Sequence, residues 1–184
     1  MATARTDSSL RGTRRGDAAK GDARRLVRRF TVAGLLLGIG FGGFADGIVL
    51  HQILQWHHLL TSTGDHPATT VAGLETNTLW DGLFHAFTWL AALSGLFLLW
   101  SAMREGFRAS AWRLIGLILA GWGSFNLIEG IVDHHILTIH HVKAGESQLA
   151  FDLGFLALGA VLVGGGVLLA RRGGPAGEGP AQVS

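Results

Sequence analysis

Four apolar stretches of about twenty residues, centred near Leu36–Leu50, Leu83–Leu99, Leu114–Ile128 and Leu153–Leu169, constrain this chain more than any other feature. About twenty helical residues rise roughly 30 Å, the thickness of a bilayer's hydrocarbon core. Backbone amides in lipid find no water, so each span must satisfy them internally, and a helix does so within one segment. The expected fold class is therefore all-α, an integral membrane four-helix bundle. Apolar periodicity places its helices at about Phe30–Leu60, Leu79–Met103, Ala111–His141 and Gln148–Ala170. The first and third exceed a bilayer thickness, so their last turns should project beyond the lipid. Residues 30–172 form the transmembrane domain, flanked by a basic tail (1–29) and a Gly- and Pro-containing tail (173–184), both expected to be disordered and cytoplasmic.

Charge orients these helices. Nine of the fifteen Lys and Arg residues precede Phe30, and the others are Arg104, Arg108, Arg113, Lys143, Arg171 and Arg172. With the N-terminus inside, fourteen basic residues face the cytoplasm and Lys143 alone faces outward, as the positive-inside rule requires. The pI near 9.9 thus reflects topology and contact with anionic lipid rather than nucleic-acid binding. The chain has no cysteine, which excludes disulfides, thiolate zinc and iron–sulfur clusters. Its methionines are Met1 and Met103, so a soft-ligand copper(I) site is not expected.

Small residues recur every fourth position on one face of the first helix (Gly34, Gly38, Gly42) and of the third (Gly116, Ala120, Ser124). That spacing lets helix backbones approach closely in lipid. An internal repeat is more informative. Asp46-Gly-Ile-Val-Leu-His-Gln-Ile-Leu-Gln-Trp-His-His58 aligns without gaps on Glu129-Gly-Ile-Val-Asp-His-His-Ile-Leu-Thr-Ile-His-His141, with eight of thirteen positions identical. The following helices each open with an acid, Asp81 and Asp152. The pattern implies two duplicated hairpins, about 30–103 and about 111–171. Because the first and third helices both run outward, the hairpins would be parallel, related by an axis along the membrane normal.

Histidines and carboxylates gather at the outer ends of all four helices. The candidate metal ligands of the first hairpin are Asp46, His51, His57, His58, Asp81 and His85. Those of the second are Glu129, Asp133, His134, His140, His141 and Asp152. Ionisable side chains near lipid are costly and mark function by default. On continuous α-helices, Asp46 and His57 would lie about 20° apart, as would Glu129 and His140, while His51/His58 and His134/His141 would share another face. Asp81 and His85 are one turn apart. Imidazole with carboxylate is the ligand set of iron, zinc, manganese or copper(II), and paired sets in helical bundles hold two ions. His85 has Leu156 as its counterpart and Asp133 has Leu50, which points to one asymmetric site built from His85, the Glu129–Asp133 row, Asp46 and His51. His66, beside Pro67, reads as solvated, and Trp56, Trp80 and Trp89 as an outer aromatic belt.

The GFADGIVLHQILQWHH, DGLFHAF and EGIVDHHILTIHHV segments together resemble an uncharacterised family of prokaryotic membrane proteins, domain-of-unknown-function family 2243, over about Phe30–Ala170. The resemblance implies a four-helix protein of the bacterial inner membrane and carries over no activity, ligand or catalytic residue. A looser likeness to the histidine-box membrane di-iron oxygenases is weakened because their boxes face the cytoplasm.

The expected function is that of a non-haem, dinuclear metal protein whose site opens to the extracytoplasmic face. It would act as an oxidase or hydrolase with Glu129 or Asp133 as base, or in metal handling for respiratory-enzyme assembly, with a respiratory-chain or assembly partner. The alternatives are a b-type haem held by His85 with His51 or His134, and a proton-coupled transporter. Haem would not call for five carboxylates. A transporter would need a polar path through inner halves that lack charged residues.

Overall fold

The computed structural model describes the backbone of residues 3–173 and side chains from Gly16 onward. The order is α1 (Thr3–Ala45), π1 (Asp46–Ile53), α2 (Val71–Arg104), α3 (Ala111–Glu129), π2 (Gly130–Ile136) and α4 (Gln148–Arg172). No strand occurs among the described residues. Four segments are long and apolar enough to cross a membrane: Gly16–Ile53, Val71–Arg104, Ala111–Ile136 and Gln148–Arg172. The protein is thus an all-α, multi-pass membrane protein.

The helices do not close into a ring. α1 packs on α2 and α3, and α3 packs on α4, so α1 and α3 form a central pair flanked by the other two. About half of the most apolar window of α1 is buried but only 11% of that of α4, so the outer helices present most of their surface to lipid. Glycine sets the spacing of the central pair. A Cβ on Gly38 would collide with the Ile118 carbonyl and the Trp122 amide, and one on Gly121 with the Leu35 carbonyl. Close backbone approach of this kind replaces the hydrophobic effect as the packing force in lipid. At the end away from the histidines, Arg25 pairs with Glu105 at 2.7 Å and Arg29 with the same carboxylate. The Arg29 hydrogen bond and both guanidinium charges hold the Glu105 carboxyl below its ordinary range.

Several boundaries differ from those expected. α1 begins at Thr3, so residues placed in a disordered tail are helical, consistent with their Ala- and Arg-rich composition. The second tail lies outside the described residues beyond Gly173. α2 starts at Val71, eight residues before Leu79, because the Thr70 hydroxyl caps it by accepting from Gly73 N at 3.1 Å. The α-helical geometry expected to run unbroken to Leu60 and His141 gives way at Asp46 and Gly130 to i→i+5 turns, which end at Ile53 and Ile136. Such π turns are rare and frequently mark functional sites.

The two hairpins repeat this local geometry. Leu54 N donates to Val49 O at 2.8 Å, and Leu137 N to Val132 O at 2.7 Å. Gln55 and Thr138 both adopt φ 49°, the left-handed region that costs a non-glycine residue about 1–2 kcal/mol. There the chain leaves the helix and folds back, and Ser62 N reaches Ile139 O at 2.9 Å to join the two loops.

Candidate metal centre

Two triads of potential metal ligands form among the described residues: Asp46 with His51 and His57, and Glu129 with His134 and His140. Within each, one ligand atom per residue lies within 4.8 Å of the others. The triads adjoin. The His57 and His140 rings stack at 4.7 Å, and the Asp46 and Glu129 carboxylates lie close enough to interact. All six residues are at most 5% exposed.

Each triad is assembled by a π turn and the fold-back after it. Residues five apart come onto one side of a π turn, so Asp46 meets His51 and Glu129 meets His134. The left-handed residues Gln55 and Thr138 then return His57 and His140 over the helix ends.

Anchors behind the ligands define which nitrogen points inward. Asp81 accepts from His51 Nδ1 at 2.8 Å, from His58 Nδ1 at 2.6 Å and from Leu59 N at 2.9 Å. Asp152 matches it, accepting from His141 Nδ1 at 2.8 Å and Val142 N at 3.0 Å, with His134 Nδ1 3.4 Å away. The remaining pair crosses between hairpins: His57 Nδ1 donates to Val142 O at 2.9 Å, and His140 Nδ1 to Leu59 O at 3.2 Å. A histidine whose Nδ1 donates to an oxygen keeps its Nε2 lone pair free, the arrangement found behind metal-bound imidazoles.

That Nε2 is unpartnered in His51, His57, His134 and His140, as are Asp46 Oδ2 and Glu129 Oε2, and all are buried. His51 Nε2 approaches Asp46 Oδ2 to 3.0 Å without hydrogen-bond geometry, and His140 Nε2 stands 3.6 Å from Glu129 Oε1. Buried polar atoms almost always have partners, so six orphans on one centre, with His134 Nδ1 a seventh, call for an explanation. Among the described residues, the ion-pair partners of Asp46, Asp81, Glu129 and Asp152 are all histidines. Burial, and then the neighbouring His51, push the His57 imidazole down to about 4. Burial and His57 push His140 down to about 3. Both are neutral at ordinary pH, the form that binds metal.

The other expected ligands are placed differently. His58, Asp81, His141 and Asp152 stand behind the triads as anchors. His85 turns Nδ1 to the Asp81 carbonyl at 2.8 Å and is outside both triads, as is half-buried Asp133. Two matched triads therefore replace the single asymmetric site expected, because the π turns rotate His51 and His134 away from their α-helical faces. His135 bonds the Gly130 carbonyl at 2.7 Å and is exposed, and His66 contributes its backbone oxygen to Asn77. Sequence reasoning overlooked Asn77, whose Oδ1 accepts from Leu60 N at 3.0 Å, and the Leu59 and Val142 carbonyls. Leu59 and Val142 each directly follow a His-His pair, a signal that was available.

Residues 33–173 match the family described as Predicted membrane protein (DUF2243). The chain belongs to this family. Both triads and both anchoring aspartates fall inside the matched DUF2243 region. No curated protein and no solved structure matches the chain.

Proposed function

We propose that this DUF2243 protein holds two divalent metal ions, one in each triad, and works as a non-haem membrane metalloenzyme. One observation carries the reading: six buried ligand atoms, one from each triad residue, converge without hydrogen-bond partners while three of the four histidines are anchored through Nδ1. Two carboxylates and four imidazoles out of water lose hydration that a divalent cation restores for several groups at once. Two imidazoles and one carboxylate per ion is the donor set of non-haem iron, with zinc, manganese and copper(II) also compatible.

Three protein ligands leave coordination positions open, as catalytic rather than structural sites do. Such an ion supplies a polarised water or an oxygen-binding position. The protein's part is to hold the imidazoles in one tautomer, exclude bulk water beneath the interlocked loops, and keep both carboxylates ionised beside the ions. A role in metal delivery would use the same ligands but needs ready exchange, which residues at most 5% exposed do not favour. The ring centroids of His51 and His57, of His57 and His140, and of His134 and His140 lie 4.4–4.8 Å apart, too close for a haem macrocycle between the members of those pairs. The basic residues cluster at the opposite ends of the helices, which supports an extracytoplasmic centre, cytoplasmic termini and, with the family resemblance, a bacterial inner membrane.

Elemental analysis of protein purified in mild detergent without chelators tests the proposal. About two ions per chain are expected. His57→Ala and Glu129→Ala should each lower the content to about one, and His66→Ala should leave it unchanged. Absence of stoichiometric metal, with none taken up from supplied iron, zinc, manganese or copper, would refute the reading. A Soret band at full occupancy would favour haem instead.

A further inference from the structure

The two halves match closely around the triads but differ beside them. On the α4 side a cavity of about 540 Å³ lies between the end of α1, α3 and α4. α4 packs on α3 and π2 but not on α1, so the cavity occupies the gap between α1 and α4 at the level of the lipid. Its rim residues Ala150, Gly154 and Leu158 are exposed. Its polar side chains are Asp46 and Asn126, 5% and 2% exposed, and the rest of the lining is predominantly apolar. Asp46 is also a member of the first triad, and its Oδ2 accepts no hydrogen bond.

Small residues border this cavity. The central helices correspond at an offset of 83 residues (129 minus 46), and the outer helices at 71 (152 minus 81). By that correspondence Gly42, Ala45, Ala150 and Gly154 stand where the other half carries Phe125, Ile128, Leu79 and Leu83. There the buried Phe125 ring lies 5.9 Å from Phe84. A Cβ placed on Gly154 would meet nothing within 4 Å.

From this asymmetry we infer that the cavity is a lateral entry and binding site for a membrane-soluble substrate. The occupant is a single hydrocarbon chain bearing an oxygen head group, a hydroxyl or carbonyl, which it presents at Asp46 beside the first triad. An apolar wall open to lipid selects the chain, and Asp46 with Asn126 offers the head its polar contacts. The volume falls within the range of small-molecule sites, roughly 300–1,000 Å³. The inference rests on the proposed metal centre for the chemistry at the cavity's end, but the chain-binding site can be tested apart from it.

The probe is a twelve-carbon alcohol carrying a mid-chain diazirine, photolysed with the protein in phosphatidylcholine nanodiscs and mapped by mass spectrometry, with metal content measured on the same samples. Labelling should concentrate on residues 42–50 and 150–158 over the lipid-facing surface of α2, and excess dodecanol should compete it away. The double variant Ala150→Leu/Gly154→Leu installs the other half's residues and should cut that labelling about tenfold or more with metal content unchanged. Gly164→Leu, on the same helix and with equally open space around its Cβ, should leave it intact. Labelling spread evenly over the helices, or unaffected by the double variant, would overturn the inference even in metal-loaded protein. Selective labelling of a protein that binds no metal would refute the metal centre and uphold the chain-binding site.

Discussion

Replacing Asp81 by Asn tests whether the two triads are separate sites with separate supports. Asp81 accepts three hydrogen bonds, from His51 Nδ1 at 2.8 Å, His58 Nδ1 at 2.6 Å and Leu59 N at 2.9 Å. An amide keeps the shape but loses the charge and offers one acceptor oxygen in place of two. His51 then loses the carboxylate that orients its ring. Loss of such an outer partner typically costs about 10–100-fold in metal affinity, or about 1.4–2.7 kcal/mol. The effect should fall on the ion held by Asp46, His51 and His57, because the Glu129 triad is supported by Asp152. Titration of metal-free protein against a competing chelator should therefore resolve one weakened and one unchanged affinity, and Asp152→Asn should weaken the other. His58→Ala removes one partner of Asp81 without touching a triad, so its effect should be smaller. Equal weakening of both sites by Asp81→Asn, or no change in either, would refute the assignment of Asp81 to one ion.

Two further predictions concern topology and acid. Reporter fusions after Thr70 and Gly145 should give extracytoplasmic signals and fusions at Gly106 and the C-terminus cytoplasmic ones, and a cytoplasmic signal at Thr70 would invert the placement of the site. An unfolded histidine titrates near 6.5, whereas folded His57 and His140 titrate at about 4 and about 3. Below about pH 6.5 the unfolded chain thus binds protons that the folded chain refuses, so stability rises with pH across that window. The thermal midpoint of metal-free protein should fall as pH drops from about 7 to about 5, and a flat profile across that window would contradict neutral, buried His57 and His140.

Much of this protein is determined by residue pattern alone. Four apolar stretches dictate four spanning helices because lipid leaves backbone amides no other partner. The glycines of α1 foretell a close central contact, and the Asp46/Glu129 alignment foretells that both hairpins carry the same polar groups at the same end. What pattern could not reveal is which polar groups meet. Apolar periodicity runs on through Asp46 and Gly130, so nothing in it marks the change from α to π turns that brings residues five apart together. Nor can it separate adjacent histidines. His57 and His58 are chemically identical neighbours, yet one enters a triad and the other bonds Asp81. That choice is made by the left-handed turn at Gln55 and by the Val142 carbonyl of the opposite hairpin, 85 residues away. Hydrophobic period is a local property, legible one segment at a time, whereas the partner of a buried imidazole is decided only when two distant loops close over each other.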